Sequence, residues 1–398
     1  MTVSPSRAFE ENIRDEMSPL REPVPSRRSG VYTFWQGRVA FYGILKALGV
    51  GPGDRILVPG FTCYVVPSAI FFAGGQPDYV DIEPDTLNIS LRGIEAACGA
   101  HTRAVLVQHT YGVPANVFSI VQWARRQGIA VIEDCAHALG SRYLHPDGVW
   151  HEVGTAGDAA FFSSHWNKPV STGLGGWAKV TNPAVEVRLR RFHDEECVSP
   201  SRREAVLLAA QVALHTLFIT PRTYWTVRTA YQWSYRRGFF VGSSTDEELR
   251  GVMPPGYCKR MSGFQEWLLR RRLAKASLEA HRRFLKEIYD SALAAAGLPT
   301  LRIPEYADAV LLCYPVRVRN KEKVLAEARR NWIQLGDWYK HPVDRPEDSH
   351  ATDFGYLTGM CPEGERASRE VVTLPMHAGV TERIALRTVD FLRRNSPC

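Results

Sequence analysis

Between Arg38 and Asn182 short apolar runs alternate with longer segments of helical spacing, and this rhythm constrains the fold more than any other feature of the chain. The runs RILVPG (55–60), PDYVDI (77–82), RAVLVQHTYG (103–112), AVIEDCAHALG (130–140), AAFFSS (159–164) and GGWAKVTN (175–182) predict strands. Between them VAFYGILKALG, VVPSAIFFAGG and SIVQWARRQG space their apolar residues as helices do and end on glycine, a common helix stop. Strand, helix, strand in repetition calls for an α/β fold whose mostly parallel sheet is covered on both faces. Ligands of such sheets bind outside the carboxyl ends of the strands.

Polar residues collect at those ends. VLVQH closes on His109, AVIED on Glu133 and Asp134, and AAFFSSH on Ser163, Ser164 and His165, with Lys168 a few residues on in FFSSHWNKPVSTGLGG. Acid, histidine, hydroxyl and lysine are therefore expected on one rim. A desolvated lysine loses its proton more easily and attacks carbonyls to form a Schiff base. Pyridoxal phosphate uses such an amine together with an acid at the ring nitrogen and phosphate-binding hydroxyls and amides. Spacing alone leaves simpler roles open: a loop lysine at Lys168, a helix N-cap at Asp134 and a satisfied strand-end histidine at His109.

GRVAFYGILKALGVGPGDRILVPGFT, GGQPDYVDIEPDTLNI, HTYGVPANVFSIVQWARRQGIAVIEDCAHALGS, GDAAFFSSHWNKPVSTGLGGWAKVTN, GYCKRMSGFQ and VVTLPMHAGVT follow one another from Gly37 nearly to the end of the chain. In this order they resemble the nucleotide-sugar aminotransferases of the DegT/StrS type. The resemblance implies pyridoxal-phosphate fold type I, a three-layer mostly parallel sheet with a smaller C-terminal α/β domain. It places Lys168 at the Schiff-base lysine, Asp134 at the aspartate facing the pyridine nitrogen, Ser163 at the phosphate-binding serine and His137 near the cofactor's phenolic oxygen. Arg38 and Val39 fall at the phosphate-binding start of a helix.

Three positions depart from the family pattern. Arg38 stands where serine or threonine is frequent, so phosphate binding there would use backbone amides or the guanidinium. Cys63 stands where an aromatic residue commonly stacks on the cofactor, with Tyr64 beside it as a substitute. Cys258, in GYCKRM, replaces an asparagine that reaches a neighbouring subunit's cofactor. His341 in YKHPVD and His377 in LPMHAG match loop positions near the active-site entrance and join His109 as substrate-binding candidates.

The implied reaction moves an amino group from an amino-acid donor, most often glutamate, to a keto sugar, in a homodimer with its active sites at the interface. A sugar dehydratase of the same fold would carry histidine at position 168, and an idle sensor or scaffold would have no use for Lys168 beside Asp134 and Ser163.

One region exceeds the family pattern. From Ala205 to Ser244 an apolar half is followed by Pro221 and by aromatics interleaved with Arg222, Arg228, Arg236 and Arg237. Helix, turn, helix is the expectation, with Pro221 opening the second element. A lid or dimer surface is the simplest use, and peripheral contact with lipid is the alternative. The domain plan is thus an N-terminal arm (1–28), a large cofactor domain (29–255, insertion at about 205–244), and a connecting helix with the small domain (256–398).

Composition narrows partners and setting. A chain of 398 residues, 45% hydrophobic, can bury a large core, and a net charge of +7 suits an anionic small ligand, an acidic surface or nucleic acid. The resemblance selects the small ligand, so no nucleic acid is expected. Eight dispersed cysteines without a CxxC pair suit neither a disulfide scaffold nor a zinc site, and read as reduced thiols of a cytoplasmic protein without a resident metal.

Overall fold

The computed structural model describes residues 30–218, 244–274, 277–345 and 354–396. Its largest element is a seven-stranded sheet in the spatial order Val31–Phe34, Gly176–Val180, Ala159–Ser163, Ala130–Asp134, Thr102–Gln108, Arg55–Pro59 and Gln76–Val80. The five strands from Ala159–Ser163 onward pair in parallel, and Gly176–Val180 runs antiparallel to both of its neighbours. All six strands expected from the apolar runs are present, and the edge strand Val31–Phe34 is additional.

Alternation within each strand divides the core in two. Ile56, Val58, Ala104, Leu106, Ile132 and Phe161 face the helices Gly37–Ala47, Val65–Phe72 and Pro183–Glu195. Their neighbours Leu57, Val105, Val107, Val131, Ala160 and Phe162 face the helices Leu91–Ala97, Val117–Gln127 and Gly263–Leu273. With both faces buried, the strands read as continuous apolar runs, and each buried large side chain contributes about 1.5–3 kcal/mol.

A third core lies in the C-terminal part. Cys313–Arg317 pairs antiparallel with Val371–Pro375, and Leu285, Tyr289, Val324, Val389 and Leu392 from three helices pack with Tyr314, Val316, Val372 and Leu374 of these strands. The connecting helix expected within 256–398 is described as two, Gly263–Leu273 and Ser277–Ala295. The first sends Leu269 beneath the large sheet and the second sends Leu285 and Tyr289 into the C-terminal core.

Of the insertion, the helix Arg202–Phe218 is described, and the element expected at Pro221 lies outside the described residues. Leu208 and Val212 pack with Trp35, Leu174 and Leu268. The His215 ring lies 4.8 Å from that of Trp166, and Lys259 pairs with Glu204 at 2.6 Å. The helix is therefore seated on the loop that carries Lys168. Among the described residues no helix is long and apolar enough to cross a membrane.

Candidate active site

Register brings the site together. Asp134 is level with Gln108 on one side and Phe161 on the other, so the strand ends at Gln108, Asp134 and Ser163 share one rim of the sheet. Gln108 is buried and ties that rim to the next loop, accepting from Thr62 Oγ1 at 2.7 Å and donating to the Phe61 carbonyl at 3.1 Å. Thr62–Cys63 then pairs in parallel with Val343–Asp344, which brings a C-terminal segment onto the same rim.

The loop bearing Lys168 is fixed by short-range bonds. Lys168 donates its amide to the His165 carbonyl at 2.9 Å, and the Thr172 amide donates to the Ser164 carbonyl at 2.7 Å. Gly175 closes the loop at φ +149°, where a Cβ would lie 2.3 Å from Ser164 Oγ. No other residue type fits there.

Burial lowers the Lys168 ammonium's pKa, and the charges of Asp134, Cys63 and Cys313 act against that fall. Burial raises the Asp134 carboxyl, against a 2.9 Å bond from the Ala136 amide and the charges of Lys168 and His109. His137 is buried and held well below the ordinary histidine range, first by burial and then by the Lys168 charge. A half-buried amine and a buried acid thus act on each other through their charges, each pushed toward neutrality by burial and each sustained by the other.

Aromatic rings stand beside Lys168. His137 stacks on Tyr111 at 6.2 Å and on Trp338 at 5.6 Å, and Lys168 Nζ lies 5.0 Å from the Trp338 ring centre. Trp338, Tyr111 and Cys313 escaped the sequence reading. GDWYKHPVD was read only for His341, and nothing local separates Trp338 from an ordinary packing residue.

The helix start beside Ser163 forms a small-residue cradle. The helix Gly37–Ala47 begins there without a side-chain capping bond from Gln36, and a Cβ on Gly37 would lie 3.0 Å from Ser163 Cβ. A Cβ on Gly176 would lie 2.3 Å from Gly37 Cα, so small residues keep the helix start against the strand end. A helix N-terminus beside a serine hydroxyl favours an anion. Amine, acid, hydroxyl and helix start together fit the functional groups of pyridoxal phosphate.

Several sequence-based expectations need revision. The Arg38 guanidinium is paired with Glu248 and also hydrogen bonds Ser244, so it is engaged from within the chain. Val39 is a core side chain whose amide donates to the Gln36 carbonyl at 3.2 Å. Tyr64 packs its ring 6.2 Å from that of Phe354 and bonds Ser244 through its hydroxyl, which draws it toward Arg38 and Phe354. His109 is fully buried and bonded through both ring nitrogens, Nε2 to Glu133 at 3.1 Å and Nδ1 to the Ala115 amide at 3.0 Å, which leaves none for a substrate.

His377 bonds Gln334 at 2.9 Å, and none of its contacts among the described residues joins it to Lys168. His341 is exposed on the loop after Trp338. Cys63 is beside Lys168, and its thiol is pushed up to about 11, chiefly by burial. Cys258 packs on the core formed by Tyr42, Phe192 and Tyr257, and burial raises its thiol to about 11.

The model of the DegT/DnrJ/EryC1/StrS aminotransferase family matches residues 31–393. The chain belongs to this family. Members of the DegT/DnrJ/EryC1/StrS family are pyridoxal-phosphate-dependent aminotransferases. The chain is 39% identical over 160 residues to GDP-perosamine synthase of Escherichia coli O157:H7, a match spanning 40% of this chain and 43% of that relative. It is 28% identical over 341 residues to UDP-2-acetamido-2-deoxy-3-oxo-D-glucuronate aminotransferase of Pseudomonas aeruginosa, spanning 86% of this chain and 79% of that one. Among solved structures, DesV of S. venezuelae superposes with a TM-score of 0.69 over 98% of this chain and 96% of its own, at 23% identity. At that identity the likeness is one of fold, and it is the same fold type I architecture.

Proposed function

We propose that this chain is a pyridoxal-phosphate-dependent aminotransferase that moves an amino group from an amino-acid donor, glutamate in the first instance, to the keto group of a nucleotide-linked sugar. The observation that carries the reading is the electrostatically coupled Lys168 and Asp134 on the rim of the parallel sheet, beside Ser163 and the start of the helix Gly37–Ala47. The relatives named GDP-perosamine synthase and UDP-2-acetamido-2-deoxy-3-oxo-D-glucuronate aminotransferase support the acceptor class.

Pyridoxal phosphate, when bound, supplies the electron sink for a carbanion at the donor's α-carbon. Lys168 Nζ would hold the cofactor's carbonyl carbon covalently until the donor displaces it. Freed, the same nitrogen would serve as the general base toward the donor's α-proton, a role that a depressed pKa favours. Asp134 would hold the pyridine nitrogen in its protonated form, and Ser163 Oγ with the helix amides would hold the phosphate. Glu248 leaves the Arg38 guanidinium as a structural ion pair, so backbone amides are the better phosphate ligands at that helix start.

The acceptor half runs the same proton transfers in reverse, so initial rates should follow a ping-pong pattern. The decisive experiment reads visible absorbance with added pyridoxal phosphate, in separate samples treated with glutamate or with borohydride, in the wild type and Lys168→Ala. A band that glutamate bleaches, with borohydride trapping the pyridoxyl mass on Lys168, is expected. Its absence from the wild type would overturn the reading. Lys168→Ala should lose at least about a thousandfold in turnover. A homodimer completing the site, with Cys258 facing the neighbouring subunit, and a cytoplasmic setting belong to the same proposal.

A further inference from the structure

We propose that Trp338 is the aromatic wall on which the cofactor's planar ring is held, and that Lys321 is the positioning residue that fixes this wall. The inference rests on the cofactor reading above and deepens it.

Lys321 opens the helix Lys321–Arg330 and is 5% exposed. Among the described residues no carboxylate lies within ion-pair distance of it. Its three donors go to three backbone carbonyls instead: Tyr339 at 2.9 Å, Ser368 at 2.9 Å and Asp337 at 3.3 Å. Burial pushes its ammonium down to about 8, against the charges of Asp337 and Asp344. A cation buried without a carboxylate is costly, and its return here is geometric.

Asp337 and Tyr339 flank Trp338, and the Trp338 carbonyl itself accepts from the Tyr111 hydroxyl. Three successive carbonyls are thus tied to two buried side chains, so the loop cannot shift without breaking these bonds. The ring so fixed lies nearly parallel to His137, with 10° between planes, and is the ring over which Lys168 Nζ lies. Trp338 also shares its apolar cluster with Cys63, whose thiol offers no aromatic face, while Tyr64 is packed against Phe354. Any planar ring joined to Lys168 Nζ is therefore formed beside the indole of Trp338. Aromatic pairs at such separations strengthen association by a factor of about 3 to 10.

The test is a spectral titration of the untagged full-length protein with pyridoxal phosphate, with thermal melts alongside, for the wild type, Trp338→Leu, Trp338→Phe, Lys321→Met and the double variant. Trp338→Leu is expected to weaken the dissociation constant about 3- to 10-fold with its melting temperature kept, and Trp338→Phe to recover most of that loss. Lys321→Met should weaken binding while Trp338 is present and add nothing in the double variant, because it acts through the ring. If Lys321→Met fails to fold, Lys321→Arg takes its place, and the Trp338 pair carries the first claim alone. Equal binding by wild type and Trp338→Leu would overturn the wall; additive losses would overturn the positioning role. A wild type with no lysine-linked band would overturn the cofactor reading itself, an outcome distinct from both.

Discussion

On the strand Ala130–Asp134, two successive carboxylates occupy opposite faces and opposite environments. Glu133 accepts backbone amides from Gly154, Ala156 and Gly157, each at 2.8 Å, and shares a 3.1 Å bond with His109. Burial alone would raise its pKa, yet the His109 bond and charge and these amides bring it below the ordinary value. Asp134 accepts one such amide, from Ala136, and burial leaves its pKa raised. Both side chains are buried; only one has its lone pairs filled from within the protein. The saturated carboxylate holds the loop that follows it, and the unsaturated one is available to a ligand. His109, Glu133 and Cys135 have ligand atoms close enough to suit a metal ion, but those of His109 and Glu133 are already spent on the protein's own donors.

The largest effect that separates the two is catalytic. Asp134→Asn should lower turnover by about 10²–10⁴-fold while the melting temperature holds or rises, since functional groups are kept at some expense in stability. Steady-state rates with a melting curve check both halves, and a large drop in melting temperature would erase the contrast. Next comes Glu133→Ala, which strands His109, two buried amides and a part-buried one, and should cost about 3–5 kcal/mol in denaturant unfolding. A loss under about 1 kcal/mol would show that the amides find other partners.

The pH dependence of stability sharpens the comparison by sign. Glu133 has a folded pKa below its ordinary 4.5, so its contribution is present above that value and is lost as pH falls through the lower folded one. Asp134 has a folded pKa above its ordinary 3.8, so its contribution is present below that value and is lost as pH rises through the higher folded one. Glu133→Gln should therefore flatten the acid limb of unfolding free energy against pH, and Asp134→Asn should remove part of the decline on the other side. Changes of the same sign in both variants would refute the assignment. The smallest effect belongs to the helix Arg202–Phe218: Glu204→Gln breaks a partly exposed pair with Lys259 and should cost at most about 1 kcal/mol.

Much of this site is legible in the sequence, for an identifiable reason. Period and punctuation locate the strands, a parallel sheet sends its ligand to the carboxyl ends, and the polar residues at those ends include Asp134, Ser163 and, just beyond, Lys168. The same logic nominated His109, and there it failed. A strand-end histidine looks the same whether its nitrogens face a cleft or, as here, Glu133 and the Ala115 amide. Which of the two roles left open at Arg38 is available was hidden for a like reason, because Glu248, the partner that engages its guanidinium, is 210 positions away.

By itself the sequence determined the α/β class, the sheet strands between Arg55 and Val180, the closing glycines and the lysine loop, because each follows from local spacing and backbone preference. Only the tertiary structure decided which polar side chains are already satisfied, that the insertion helix rests on the lysine loop, and that Trp338 stands beside Lys168. These depend on pairings between residues remote in the chain, and hydrogen-bond saturation and burial become defined only when such residues meet.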